Sequence, residues 1–323
     1  MLFELNDVTK TYGRVVALRN LSVAAPSGAI GLLGPNGAGK TTMIRTLLGL
    51  IRFNSGTGQV LGKDIRSQRM QIRQEVGFAP EDECLFPGLQ GIEFVAFAGE
   101  LCGMPRSDAL RRAHETLDYV GLGEARYRMA ESYSTGMKQR LKVASAIVHD
   151  PKLLILDEPT NGLDPQGRDE MIALARDLAH NKGMSVLFSS HLLPDVETVC
   201  EHLIVMGGGQ VLKTGRIEDL KKIEKFWFAI RVKEGAAEFS RRLAQANCEV
   251  QPLEGDKEGL LASPLNGADE SLFWRLARES NIQIRSLRPQ RMTLEQVFLN
   301  ALQAQTQSQA QSKGQAAQTA SSR

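Results

Sequence analysis

Gly34-Pro35-Asn36-Gly37-Ala38-Gly39-Lys40-Thr41-Thr42 is the stretch that decides the fold of this 323-residue chain. It matches the pattern G-x-x-x-x-G-K-[ST]. Ala29-Ile30-Gly31-Leu32-Leu33 ahead of it reads as a buried strand, and Met43 to Leu50 behind it reads as a helix. Glycines in such a loop permit backbone angles that turn successive N–H groups inward, and the helix start adds a partial positive charge. The cradle takes phosphate. Lys40 then reaches the β- and γ-phosphates, and the Thr41 hydroxyl ligates Mg²⁺. With strand and helix in place, the stretch reads as a nucleotide site rather than an ordinary glycine-rich turn.

Hydrophobic residues make up 42% of the chain and charged residues 24%, an ordinary globular composition. The net charge of +2 gives no electrostatic footprint for nucleic acid. No apolar run approaches the roughly 20 residues needed to cross a bilayer. The N-terminus, MLFELNDV, lacks a basic region followed by an apolar one, so no signal peptide is expected and the chain is expected to be cytoplasmic. Cys84, Cys102, Cys200 and Cys248 show no C-x-x-C spacing and read as reduced thiols, buried or half-buried.

From Leu2 to Val23 apolar and polar residues alternate, with Tyr12-Gly13 at a turn, which predicts an antiparallel hairpin. Gln59 to Leu61 and Glu75 to Phe78 read as short strands. Helical periodicity runs from Gly91 to Val120, broken at Met104-Pro105, and again from Thr135 to His149. Lys152 to Leu156 is a continuous apolar strand, as expected for one covered on both faces. Helices from Pro165 to Asn181 and from Pro194 then alternate with strands from Ser185 to Ser189 and Leu203 to Met206. A turn at Gly207-Gly208-Gly209 leads into a strand from Gln210 to Thr214. This alternation predicts a mostly parallel α/β sheet. The pattern changes after Lys221-Lys222. Strands at Phe226 to Val232, Glu249 to Leu253, Leu260 to Ser263 and Ile282 to Leu287 are interleaved with helices at Ala236 to Ala246 and Asp269 to Ser280. A last helix follows from Thr293 to Leu302. That β-α-β-β-α-β order predicts a small ferredoxin-like α+β domain. From Gln303 onward Gln, Ala and Ser dominate, and the segment is expected to be disordered.

A second carboxylate element supports the first. In Leu153-Leu154-Ile155-Leu156-Asp157-Glu158, an acid at the carboxyl end of a buried strand can hold Mg²⁺ or its water shell, which suits Asp157. Glu158 is then placed to orient or deprotonate the water that attacks a γ-phosphate.

With these elements the chain resembles the ATP-binding subunits of ABC transporters over about two-thirds of its length, in the correct order. Tyr133-Ser134-Thr135-Gly136-Met137-Lys138-Gln139-Arg140 resembles the family signature, commonly LSGGQ followed by a basic residue. Pro159-Thr160-Asn161-Gly162-Leu163-Asp164 is similar to the loop after the catalytic glutamate, and Ser189-Ser190-His191 to the switch histidine. Taken alone, Ser134-Thr135-Gly136 would be a helix N-cap. The resemblance implies that it faces the γ-phosphate of ATP held by the opposite copy, in a head-to-tail homodimer. It further implies that His191 donates to the γ-phosphate, that Tyr12 stacks on adenine and that Asp164 touches the partner's phosphate loop. Tyr12 also reads as simple packing, and Asp164 as a cap for the helix at Pro165.

Three positions depart from the family pattern. Glu81 stands where a Gln is usual, Thr135 where a Gly is usual, and Tyr133 where a Leu is usual. Glu81 can still accept from a Mg²⁺-bound water, but it adds negative charge near the nucleotide; otherwise it is a solvated loop acid. Arg288 to Leu299 is similar to an ending common in exporter ATPases whose permease is a separate chain. The resemblance thus implies an ATPase domain over 1–222, with a helical subdomain at about 82–145. An accessory domain over 223–302 and a tail over 303–323 would follow. The protein would sit on the cytoplasmic face of the membrane against a separate transmembrane permease, with Leu85 to Leu89 as an apolar patch for it or as subdomain packing. Two other readings are a soluble ATPase acting on nucleic acid or ribosomes, and a regulatory subunit without turnover. One phosphate loop without inserted arms argues against the first, and Glu158 with His191 against the second.

Overall fold

The computed structural model describes residues 1–222, 227–253, 256, 258–264 and 270–290. The helix expected from Thr293 to Leu302 and the polar stretch from Gln303 lie outside the described residues, as do Phe226 and Asp269 at the edges of two expected elements. Two compact units divide the chain between Ile217 and Glu218, just ahead of the change in pattern at Lys221-Lys222.

In the first unit β1 (Phe3–Tyr12) and β2 (Val15–Ala25) form the expected antiparallel hairpin. Its alternation buries Phe3, Leu5, Val8, Leu18, Leu21 and Val23 on one face. β3 (Ala29–Leu33), α1 (Lys40–Leu47), β4 (Ser55–Val60), β5 (Lys63–Asp64), α2 (Arg69–Glu75) and β6 (Val76–Ala79) follow. α3 (Gly91–Leu101), α4 (Arg106–Tyr119) and α5 (Thr135–Ile147) come next. β7 (Leu153–Asp157), α6 (Pro165–His180), β8 (Ser185–Ser190), α7 (Leu193–Val199), β9 (His202–Gly207) and β10 (Gln210–Arg216) complete the run, and α8 (Ile217–Lys222) begins at the last residue before the division and continues into the second unit. One sheet has the order β2-β1-β4-β5; the other, β10-β9-β3-β8-β7-β6, is parallel except for β10 at its edge. Every residue of β3 and β7 is buried, the reason both read as unbroken apolar runs.

Two expectations are corrected. Glu75 does not open a strand; it closes α2, whose only buried residue is Ile72, too little apolar periodicity to announce a helix. Leu61 leaves β4 and takes φ +52° in the turn with Gly62.

In the second unit β11 (Trp227–Val232), α9 (Ala236–Gln245), β12 (Cys248–Pro252), β13 (Gly259–Pro264), α10 (Ser271–Glu279) and β14 (Ile284–Gln290) follow the expected β-α-β-β-α-β order. The sheet order β12-β13-β11-β14, antiparallel throughout, is the ferredoxin-like arrangement. Phe228, Ile230, Phe239, Leu243 and Phe273 form its core.

Candidate functional site

Parallel register brings the chemistry to one rim. Leu33 pairs with Ser190, Asp157 with Ser189, and Ala79 with Leu156. The chain leaving the carboxyl ends of β3, β7, β8 and β6 therefore carries the phosphate loop, Glu158, His191 and Glu81 out side by side.

The loop's glycines are required by its surroundings. Gly39 has φ +101°, and a Cβ there would lie 2.8 Å from the Ala17 carbonyl oxygen; at Gly34 it would lie 2.6 Å from that of Met206. No side chain caps α1, so the N–H groups of its first turn face an incoming anion. Lys40, buried, donates to the Gly34 carbonyl at 2.7 Å and lies 3.1 Å from Glu158 Oε1. Thr41 Oγ1 donates to Asp157 Oδ2 at 3.1 Å.

Glu158 is the most constrained residue of the group. It is buried, and its φ of +49° is a left-handed conformation that costs a non-glycine residue about 1–2 kcal/mol. Its backbone N–H donates to the Ser189 carbonyl at 3.1 Å, and its Oε2 meets His191 Nδ1 at 2.8 Å. Lys40 and His191 thus hold one carboxylate from two sides. Glu81, exposed, accepts from Asn161 Nδ2 at 3.0 Å.

Tyr12, Pro35, Asn36, Gly37, Ala38, Gly39, Lys40, Thr41, Thr42, Glu81 and Glu158 line one cleft of about 490 Å³. Tyr12 is half-exposed at its mouth with the Lys10 ammonium 4.7 Å from its ring centroid. Ser134, Thr135, Gly136 and Asp164 lie elsewhere, around a second cleft of about 450 Å³ that Gly162 and Leu163 also line. Ser134 caps α5, accepting from the Met137 N–H at 3.4 Å, and Asp164 caps α6, accepting from the Gly167 N–H at 3.2 Å. The departures at the signature have local reasons. Tyr133 is buried with its hydroxyl donating to the Ala125 carbonyl at 2.6 Å, and Thr135 opens α5 without a positive φ. Gly136 has no positive φ either, and a Cβ on it would meet only Leu163 Cδ2, at 3.8 Å. Among the described residues nothing requires glycine there.

Three groups escaped the sequence reading. Asp195, fully buried on α7, accepts from Thr160 Oγ1 at 2.7 Å and takes Nε and Nη2 of Arg168, the former at 2.8 Å. It ties the loop after Glu158 to the helix after His191. Asn161 bridges that loop to Glu81. Lys142 is buried in α5; its signal was a lysine inside the apolar run Leu141 to Ala144. Cys84 is a further correction: among the described residues all four thiols are free, but Cys84 is exposed because it lies on the loop after Glu81.

The donors suit a cation that arrives with phosphate. Asp157 Oδ1 is buried without a hydrogen-bond partner, and burial pushes its carboxyl above the usual carboxylate range. Among the described residues no cluster of three or more His, Cys, Asp or Glu could form an all-protein cage. One hydroxyl and one or two carboxylates facing a phosphate cradle is the set Mg²⁺ accepts, because it keeps waters and phosphate oxygens as its other ligands.

A phosphate loop on the central strand of a parallel sheet, with Asp157-Glu158 two strands away, defines a P-loop nucleotide hydrolase. Residues 18–161 match the model of the ABC transporter family. The chain is 38% identical over 235 residues to the ABC transporter ATP-binding protein YxlF of Bacillus subtilis, covering 72% of this chain and 77% of that one. It is 30% identical over 302 residues to the bacitracin transport ATP-binding protein BcrA of Bacillus licheniformis, covering 93% and 97%. Among solved structures, CbiO1 of Clostridium perfringens, part of an ABC transporter complex, superimposes with a TM-score of 0.62 at 26% identity, covering 69% of this chain and 91% of that one. The chain belongs to the ATP-binding, ATP-hydrolysing subunits of ABC transporters. Among the described residues no helix is long and apolar enough to cross a membrane.

Proposed function

We propose that this chain powers an exporter as a head-to-tail homodimer on the cytoplasmic face of the membrane, against a separate permease chain. One observation carries the reading: the residues suited to a γ-phosphate fall into two clefts of the same chain, one with Lys40, Thr41 and Glu158 and the other with Ser134 and Gly136. Two copies related head to tail bring one of each together twice. The glycine at position 136, which the chain itself does not need, suits close approach by a phosphate of the opposite copy. Tyr12 presents an aromatic face for the base, and Asp164 reaches toward the partner's phosphate loop.

Chemically, Glu158 is the base that takes a proton from the attacking water. Without nucleotide its carboxylate is engaged by Lys40 and His191. A γ-phosphate competes for both, so substrate binding itself frees the base. Imidazole with its Nδ1 proton committed to Glu158 has none on Nε2. His191 therefore serves the γ-phosphate either doubly protonated or after leaving Glu158. Thr41 and Asp157, with Glu81 beyond them through a water, would hold Mg²⁺, whose chemistry there is to neutralise phosphate charge.

Export is the direction that suits a relative named for drug resistance, the daunorubicin/doxorubicin resistance ATP-binding protein DrrA of Streptomyces peucetius, to which the chain is 37% identical over 219 residues. The permease contact is assigned to the exposed Phe86 and Phe97, whose rings meet edge to face with centroids 5.9 Å apart. Residues 223–302 are assigned as an accessory domain that stabilises or regulates the dimer. Removing everything beyond Lys222 with no change in ATPase or transport rejects that assignment. For the main reading, gel filtration of Glu158→Gln with Mg·ATP is expected to give a dimer and without nucleotide a monomer. A monomer under both conditions contradicts it.

A further inference from the structure

Lys142 is a buried cation with no part in the chemistry above. It lies on α5, two turns beyond Ser134, and is 3% exposed. Its Nζ donates to three successive carbonyls, those of Pro80 at 2.6 Å, Glu81 at 3.0 Å and Asp82 at 3.4 Å. An ammonium has three protons to give, and this one spends them all on one loop. Leu141, Val143 and Ala144 around it are buried apolar residues. An apolar side chain would fill the same space without the cost of desolvating a charge, but would leave the carbonyls without this donor.

The loop so held is the one that follows β6 and carries Glu81. One turn earlier on α5, Lys138 Nζ meets Glu83 Oε1 at 2.9 Å. From the opposite side Asn161 donates to the Glu81 side chain. The grip from α5 is on the backbone at Glu81 itself and does not take up the Glu81 carboxylate, which accepts from Asn161 and lines the phosphate cleft.

We propose that Lys142 is a positioning residue for hydrolysis, binding the Glu81 loop to the helix that starts at Ser134 so that the two move as one body. The assignment rests on Glu81 acting toward a Mg²⁺-bound water. It has a consequence in the dimer. α5 presents Ser134 to one nucleotide while the loop it carries presents Glu81 to the other, so closure at one site is felt at the second through three hydrogen bonds.

The test uses the full chain with Lys142→Gln, Glu81→Ala and the double variant. Lys142→Met, whose apolar body suits the buried position, replaces the first if Gln does not fold. Thermal unfolding without nucleotide establishes folding. The readouts are kcat, KM for ATP, and the part of the ATP-induced rise in Tm that requires Mg²⁺. Lys142→Gln is expected to lower kcat by about tenfold to a hundredfold, the usual effect of a small misplacement, with KM changed less than about twofold because the phosphate loop is untouched. The Mg²⁺-dependent part of the Tm shift should shrink as it does in Glu81→Ala, and the double variant should be no worse than Glu81→Ala. Additive losses, or a folded Lys142→Gln with normal kcat and Mg²⁺ response beside an impaired Glu81→Ala, overturn the role of Lys142 alone. A normal Glu81→Ala overturns the reading of Glu81, and the role of Lys142 with it.

Discussion

Replacing Gly136 by Ala should separate the needs of the fold from those of the dimer. Gly136 is the second residue of α5, has no positive φ, and offers a Cβ nothing closer than Leu163 Cδ2 at 3.8 Å. An added methyl therefore makes one ordinary van der Waals contact, and alanine is the better helix former by up to about 1 kcal/mol. In the first helical turn we take about half of that, which raises Tm by roughly 1–2 °C for a domain of this size. In the proposed head-to-tail dimer the same methyl would meet a phosphate of the opposite copy. Overpacking costs about 1–3 kcal/mol per site, hence about 2–6 kcal/mol for two sites, a weakening of at least roughly thirtyfold. The assay is gel filtration with Mg·ATP in the Glu158→Gln background, beside thermal unfolding without nucleotide. Equal dimerisation in parent and variant would refute the reasoning. So would a fall in the nucleotide-free Tm, which would mean that glycine serves the fold after all.

Other perturbations follow from the same geometry. Glu158→Gln should lower kcat by about two to four orders of magnitude while retaining ATP binding; turnover within tenfold of the parent removes Glu158 as the base. Asp157→Asn takes away a buried carboxylate with an unpartnered oxygen, so the nucleotide-free protein should be no less stable by thermal unfolding, while Mg²⁺ loses its effect on the ATP-induced shift; a large loss of nucleotide-free stability contradicts this. Asp195→Ala strands Thr160 and Arg168 and should cost about 3–5 kcal/mol in urea unfolding, against under 1 kcal/mol if the buried cluster is unimportant. Lys63 and Lys152 hold the Glu75 carboxyl below the usual carboxylate range, so its contribution is present at neutral pH and lost as pH falls through that lowered value. Glu75→Gln should therefore cost less than about 1 kcal/mol at pH 7, and progressively less as acidification protonates the carboxyl; a difference that does not shrink on acidification disagrees.

The rim of the parallel sheet was legible because its chemistry is local. Ala29 to Thr42 and Leu153 to Glu158 each carry a strand and the reactive groups that follow it within fourteen residues. α2 was not, since Ile72 alone faces inward and a single apolar residue sets no period. Residues that act across the fold were also hidden. Asn161 stood inside a motif yet its partner Glu81 lies eighty positions away, and Lys142, although set among Leu141, Val143 and Ala144, gave no sign of the distant carbonyls it meets. Asp195 looks like a solvated acid in the first turn of α7 until Arg168 and Thr160 close on it. The signature's departures became intelligible only in three dimensions, where Tyr133 fills a buried slot and its hydroxyl finds the Ala125 carbonyl. Sequence reports what a residue can do; its partner decides what it does.

Mixing two crippled forms probes the shared pocket most directly. Copies carrying Lys40→Ala lack a working phosphate loop, and copies carrying Gly136→Val lack a working second half; each alone should be inactive. In a head-to-tail dimer of one with the other, the intact phosphate loop of the second meets the intact Ser134 loop of the first. Random mixing then restores about one quarter of parental ATPase activity, half the dimers being mixed with one good site of two. No recovery on mixing two folded, inactive forms would mean that each chain builds its pocket alone.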